Sequence, residues 1–223
     1  MKGLKSVSLV VRASFEAIFD VILPLRARAA RTQKRRVSHF HVSPTSHSLH
    51  AESITTLLAY QDPVVADMIR ALKYEHSNHA AKICAAIISD YLREEIASLR
   101  AFSPRPILLV PVPLHAERVR ERGFNQIEKI LKHFPEEFRN GALSKVELHA
   151  LSRTRHTTQQ TRLSREERIK NVVGAFAADR FAVRGTHVIL IDDVTTTGAT
   201  ISECARALRE AGAEVTSLAL ARA

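Results

Sequence analysis

The segment ILIDDVTTTGAT, residues 189–200, sets two adjacent carboxylates, Asp192 and Asp193, at the end of an apolar run and follows them with hydroxyl side chains and one glycine. The turn running through Val194, Thr195, Thr196, Thr197, Gly198, Ala199 and Thr200 offers backbone N–H groups, hydroxyls and the positive end of any helix that starts there. That combination suits a phosphate monoester. The aspartates suit hydroxyl groups, which donate to carboxylates. A ribose 5-phosphate carries both, with vicinal hydroxyls for the acids and a phosphate for the turn. Two conditions attach. Adjacent strand residues point to opposite faces, so both acids address one ligand only if the backbone turns at that point. Two anions so close also repel, and a cation or hydroxyl donors must offset this. Other phosphate signatures are absent: there is no Gly-Lys-Ser/Thr of a Walker loop and no three spaced glycines of a dinucleotide fingerprint.

The elements around the segment give it a place. THVILID reads as a buried strand, and GATISECARALREAG as a helix with Ile201, Ala205 and Leu208 inward and Gly212 as its C-cap. EVTSLALA, from Glu214, is a further strand. Strand, helix, strand with a short first turn is a parallel crossover unit, and ligands of open α/β sheets bind at the C-terminal ends of such strands. Upstream, PILLVPVP from Pro106 and VELHAL from Val146 read as two more strands. Asp62 and Pro63 open a helix with Val65, Met68, Ile69 and Leu72 on one face, and a longer helix runs from about Asn78 to Leu99. The expected fold is α/β, a parallel sheet flanked by helices.

With 223 residues, 45% of them hydrophobic, the chain has room for one main domain and an appendage. We divide it into 1–50, an N-terminal helix and a basic, His-rich linker, and 51–223, the core. A formal charge of +10 attracts polyanions. The excess is densest at Arg26, Arg28, Arg31, Lys34, Arg35 and Arg36, which follow one another without an acid and are the candidate DNA contacts. The stretch from Pro24 to His50 has no periodicity and reads as solvated chain; a site of His39, His41, His47 and His50 is the alternative, although no cysteine joins it. Few aromatics, nine Phe and three Tyr with no Trp, leave electrostatics to dominate any nucleic-acid binding. Cys84 and Cys204 each lie inside an apolar helical pattern, which argues against a disulfide framework and a cysteine zinc site and for a reducing, cytoplasmic setting. Arg12, Glu16 and Asp20 form a polar stripe on an amphipathic N-terminal helix, so that segment is neither a secretory signal nor a membrane span of roughly 18 apolar residues.

VILIDDVTTTGAT resembles the phosphoribosyl-pyrophosphate (PRPP) signature of type I phosphoribosyltransferases. PVPLHAERVRERGFNQ, residues 111–126, and RTRHTTQQTRLSREERIKNVVGAF, residues 153–176, are similar to two upstream motifs of the ComF family, phosphoribosyltransferase-like proteins linked to DNA uptake in competent bacteria. LLAYQDPVVADMIRALKYEHSNHAAK, residues 57–82, looks like that family's segment before the core. The order of the motifs makes the resemblance specific to this branch of the superfamily.

The resemblance implies a type I phosphoribosyltransferase-like fold with PRPP or a nucleotide at Asp192, Asp193 and the turn after them, and Mg2+ bound through the ligand's pyrophosphate. It implies a pyrophosphate loop at Arg118, Arg122 and Gly123, where guanidinium forks suit a magnesium pyrophosphate; the same arginines, four apart, also suit a solvated helix face. Arg153, Arg155, Thr157 and Gln160 precede a capping box of Ser164 and Glu167 and belong either to a loop that closes over the ligand or to plain surface. Members of the family usually carry a cysteine-ligated zinc module near the N-terminus. None is encoded here, so no zinc is expected. The functional expectation is a competence protein that takes part in DNA uptake, with single-stranded DNA and the uptake machinery as partners. The alternatives are a magnesium-dependent phosphoribosyltransferase of unidentified acceptor and a PRPP-sensing regulator; no residue cluster names an acceptor base.

Overall fold

A computed structural model describes residues 26–50, 52–114, 123–154 and 171–223. The helix expected over the first 23 residues, Arg118, Arg122, Arg155, Thr157, Gln160 and the capping box at Ser164 and Glu167 lie outside them.

Helix starts follow from local chemistry. Asp62 accepts from the N–H of Val64 at 2.8 Å with Pro63 in the first turn, and α2 (Pro63–Tyr74) follows with Val65, Met68, Ile69, Ala71 and Leu72 buried. Ser77 caps α3 (Asn78–Phe102) by accepting from Ala80 N. This helix runs one turn past the expected end, where the Arg100 guanidinium donates to the carbonyls of Ala142 and Leu143, both at 2.8 Å.

A six-stranded sheet has the order β1-β2-β8-β7-β3-β4, with β1 (Thr45–Leu49), β2 (Glu52–Ala59), β3 (Ile107–Pro111), β4 (Lys145–Val146), β7 (His187–Thr195) and β8 (Glu214–Arg222). Only β1 is antiparallel to its neighbour. Strand β7 lies inside the sheet, and Val188 to Ile191 have no exposed surface. Each such side chain contributes about 1.5–3 kcal/mol of burial. Alternation splits them: Ile189 and Ile191 pack with α2, α3 and α4 (Gln126–Leu131), whereas Val188 and Leu190 pack with α6 (Ala199–Glu210) on the opposite face.

The expected strand from Val146 to Leu151 is two pieces. After β4 the N–H of Glu147 still bonds Leu109 O, then the chain leaves the sheet. Leu148 packs in the core on the α3 face, while Ala150 and Leu151 pack on the α6 face, so this stretch wraps the sheet edge rather than extending it. Beyond the edge, β5 (Leu151–Arg153) pairs antiparallel with β6 (Phe176–Ala178) in a separate ribbon, which the short helix α5 (Arg180–Val183) follows.

The solvated reading of 24–50 gives way over residues 26–49. Helix α1 (Arg26–Gln33) packs on α2 and α3, and β1 forms the sheet edge. Arg28 is 2% exposed, and Thr32, Phe40 and Leu49 are buried. Partners for the charges come from elsewhere in the chain: Arg31 forks onto Asp67 at 2.9 and 3.1 Å, and Glu75 accepts from Ala29 N. Local periodicity contains no trace of such distant partners. Among the described residues no helix is long and apolar enough to cross a membrane.

Candidate functional site

Strand β7 delivers the two aspartates to the C-terminal edge of the parallel strands, then continues without a bulge. Asp192 pairs with Ala219 of β8, Val194 with Ala221 and Thr195 with Arg222, in unbroken register. The turn that would aim both acids at one ligand is therefore missing. By alternation Asp193 faces the α2–α3 side and Asp192 the α6 side. The neighbours agree. Asp193 raises the pKa of buried Cys84 on α3, whereas Asp192 raises that of buried Cys204 on α6, in both cases after burial itself, which is the larger cause. Both thiols are held protonated and serve as packing.

Asp193 is 8% exposed and its Oδ2 lies 2.9 Å from Lys73 Nζ, at the last turn of α2. Lys73 supplies the offsetting cation that the paired acids demand. Sequence reading missed it, although one signal was present: a lysine next to an apolar helix face inside the family-like segment 57–82. Asp192 turns back on the chain, accepting from Asp193 N at 2.8 Å through Oδ1.

The turn after β7 ends at Gly198, the N-cap of α6, with φ +79°. Only glycine fits here, because a Cβ would lie 2.7 Å from Leu49 Cβ and 2.9 Å from Ile54 Cδ1. The β1–β2 hairpin thus holds the turn from outside, and Ser202 donates to Leu49 O as well. Thr196 is exposed, Val194, Thr197 and Thr200 are half-buried, and Thr195 and Ala199 are buried. The side of the turn open to solvent is that of Thr196, with the half-buried Thr197 and Thr200 beside it.

Two further segments border this edge. Asn125 donates from Nδ2 to Val112 O at 3.1 Å and caps α4 by accepting from Ile127 N, tying the end of β3 to the start of that helix. The pyrophosphate-loop candidates lie between these anchors; of them Gly123 is described, exposed and at φ +73°. The candidates of the closing loop fall between β5 and β6. Arg153, at the end of β5, stacks its guanidinium over Phe176 at 5.1 Å and lowers the Cys204 pKa, which puts it in the same electrostatic surroundings as Asp192. The other end of that connection is fixed by Glu203, which accepts from Gly174 N at 2.7 Å and from Arg206. The Arg206 hydrogen bonds hold the Glu203 carboxyl below the usual range.

The DNA-contact candidates on α1 and after it fare unevenly. Arg28 is buried and Arg31 is taken by Asp67, while Lys34 and Arg36 are exposed and Arg35 is half-buried. Arg26 belongs to α1, its side chain outside the described set. His47 bonds Thr56 and Arg222, and His39 accepts from Arg36 N. Among the described residues no three His, Cys, Asp or Glu side chains cluster as metal ligands.

The phosphoribosyl transferase domain family matches residues 122–223. DNA utilization protein YhgH of Escherichia coli K12 is 29% identical over 199 residues, covering 84% of this chain and 83% of its own. Competence protein ComFC of Bacillus subtilis is 33% identical over 125 residues, 55% of this chain and 48% of its own. Competence protein F of Haemophilus influenzae is 33% identical over 113 residues, 49% of this chain and 47% of its own. This is a ComF-family, phosphoribosyltransferase-like protein. The crossover unit β7-α6-β8 lies wholly within the matched phosphoribosyl transferase domain. Phosphoribosyltransferase domains are generally magnesium-dependent, and a dication carried on a pyrophosphate asks for few ligands from the chain.

Proposed function

We propose that this ComF protein is a cytoplasmic competence factor whose core binds PRPP or a nucleotide with Mg2+ at the end of β7, and that the bound state serves the handling of incoming DNA. The observation that carries the reading is the joint position of Asp192 and the turn Thr196–Thr200 on the α6 side of one strand end, with Gly198 held in place by Leu49. In this reading Asp192 accepts the ribose hydroxyls and the turn takes the 5′-phosphate. Asp193, neutralised by Lys73, positions the strand end instead of touching the ligand. Arg118 and Arg122 would hold the ligand's pyrophosphate, and Mg2+ bound to that pyrophosphate would neutralise its charge. Arg153, in the same electrostatic surroundings as Asp192, would be joined by Arg155, Thr157 and Gln160 in closing over the ligand. The relatives named for competence and DNA utilization support the DNA-handling role.

Titration calorimetry with PRPP and MgCl2 tests the binding step. Asp192→Asn should weaken binding by about 1.5–3 kcal/mol, one charge-assisted hydrogen-bond set, and unchanged affinity contradicts the assignment. Pyrophosphate release with a panel of nucleobases would instead establish phosphoryl-ribose transfer.

A further inference from the structure

A cleft of about 430 Å³ opens where the end of α2, the start of α3 and α4 meet, and its walls include Asn78, Phe124, Glu128, Lys129, Lys132 and His133. We propose that this cleft is a binding track for single-stranded nucleic acid, its lysines on phosphates and Phe124 under a base. The proposal rests on the DNA-handling reading above and assigns that reading a place on the protein.

Charge is the first support. Lys129 has its pKa lowered by burial and then by Lys132, and His133 by burial and then by Lys82 and Lys129. Four basic groups therefore crowd one another, against Glu128 as the acid in the cleft wall. Among the described residues Lys82, Lys129 and Lys132 have no carboxylate within ion-pair distance. A cluster of like charges that outnumbers its acid is relieved by a bound polyanion. The contrast with α1 is direct: Arg28 and Arg31, charges that the bare sequence offered for DNA, are already engaged inside the fold.

An aromatic platform is the second support. The Phe124 ring is half-buried, with the His76 ring 4.8 Å away and Lys129 Nζ 5.0 Å from its centroid. Aromatic rings beside lysines are what unpaired bases stack on, whereas a paired base hides its faces in the duplex. Lys129 Nζ also donates to His76 O, which ties the floor of the cleft to the end of α2.

Position is the third. Phe124 precedes Asn125, whose side chain holds Val112 at the end of β3, and His76 lies three residues past Lys73, the partner of Asp193. A strand lying in the cleft thus passes beside the edge where the phosphoribosyl ligand is expected, so one protein surface serves both.

The test is fluorescence anisotropy of a labelled oligo(dT) with the full chain at about 50 and about 200 mM salt. Each neutralised phosphate of a single strand contributes about 0.7 to the salt slope, so loss of three lysine contacts removes about 2 from it. Over this fourfold change in salt that is about an 18-fold difference in how far affinity falls. Lys82→Gln with Lys132→Gln, both exposed, should remove about 1.4 of that slope, about a sevenfold difference over this range, and adding Lys129→Gln about 0.7 more. Phe124→Leu should abolish the preference for oligo(dT) over an abasic strand of equal length, which a merely structural phenylalanine would leave intact. PRPP binding should persist in the lysine variants. A wild-type slope retained in the triple variant, or equal affinity for duplex and single strand, overturns the cleft while leaving DNA handling standing. Absence of any single-strand binding by the wild type overturns both.

Discussion

Lys73→Met is the sharpest probe of the site, because it removes a cation from a pair that the fold has largely taken out of water. The Lys73 and Asp193 side chains are 15% and 12% exposed and 2.9 Å apart. Removing one partner of a buried pair costs about 3–5 kcal/mol, chiefly because the remaining charge is uncompensated. The residual exposure places this pair at the lower end, about 3 kcal/mol. For a chain of this size that corresponds to a fall in Tm of about 6–12 °C. Asp193→Asn alone should cost less, since the amide still accepts a hydrogen bond from Lys73. The double variant should be more stable than Lys73→Met, with a coupling of about 2 kcal/mol in the cycle. Urea unfolding by circular dichroism, with slopes compared to confirm that only stability has changed, measures all four proteins. A loss below about 0.5 kcal/mol for Lys73→Met, the level of an ordinary surface substitution, or strict additivity in the cycle, refutes the reasoning.

Three further outcomes follow from particular contacts. Gly198→Ala combines a left-handed backbone costing about 1–2 kcal/mol with a Cβ driven into Leu49; thermal melting should show the loss, and calorimetry should show PRPP binding weakened with it. Single-strand affinity should rise as pH falls through the histidine range, because His133 is held below its usual pKa by burial, Lys82 and Lys129, and a phosphate bound among Lys82, Lys129, Lys132 and Glu128 raises it again; anisotropy against pH should go flat in His133→Gln. Glu203, lowered mainly by its hydrogen bonds to Arg206, contributes stability that is present above the ordinary glutamate range and lost as pH falls through its depressed folded value. In acid unfolding curves Glu203→Gln should therefore flatten that limb while lowering stability at neutral pH.

Much of the core was legible because it is local. The strand before Asp192, the helix from Ala199, the cap at Asp62 and the C-terminal strand each follow from periodicity or capping chemistry within a dozen residues. What failed was long-range. Arg31 reads as solvated until Asp67, 36 positions away, is beside it. Val146 to Leu151 has strand-like composition, but its apolar residues are divided between two faces of a sheet whose edge the chain must round. The acid pair calls for a cation or hydroxyl donors, and that Lys73 meets Asp193 could be known only once α2 lay against β7. Likewise the lysines at 82, 129 and 132 are unremarkable along the chain and become a site only when α3 and α4 converge on Phe124.

The proposed function stands or falls on a phosphoribosyl ligand at the end of β7 on the α6 side. A crystal structure with PRPP and Mg2+ tests it most directly. The 5′-phosphate should lie against the N–H groups of the Thr196–Thr200 turn and the ribose hydroxyls on Asp192, with Asp193 still paired with Lys73. A ligand found elsewhere on the chain, or one bound by Asp193 with the Lys73 pair broken, would contradict it.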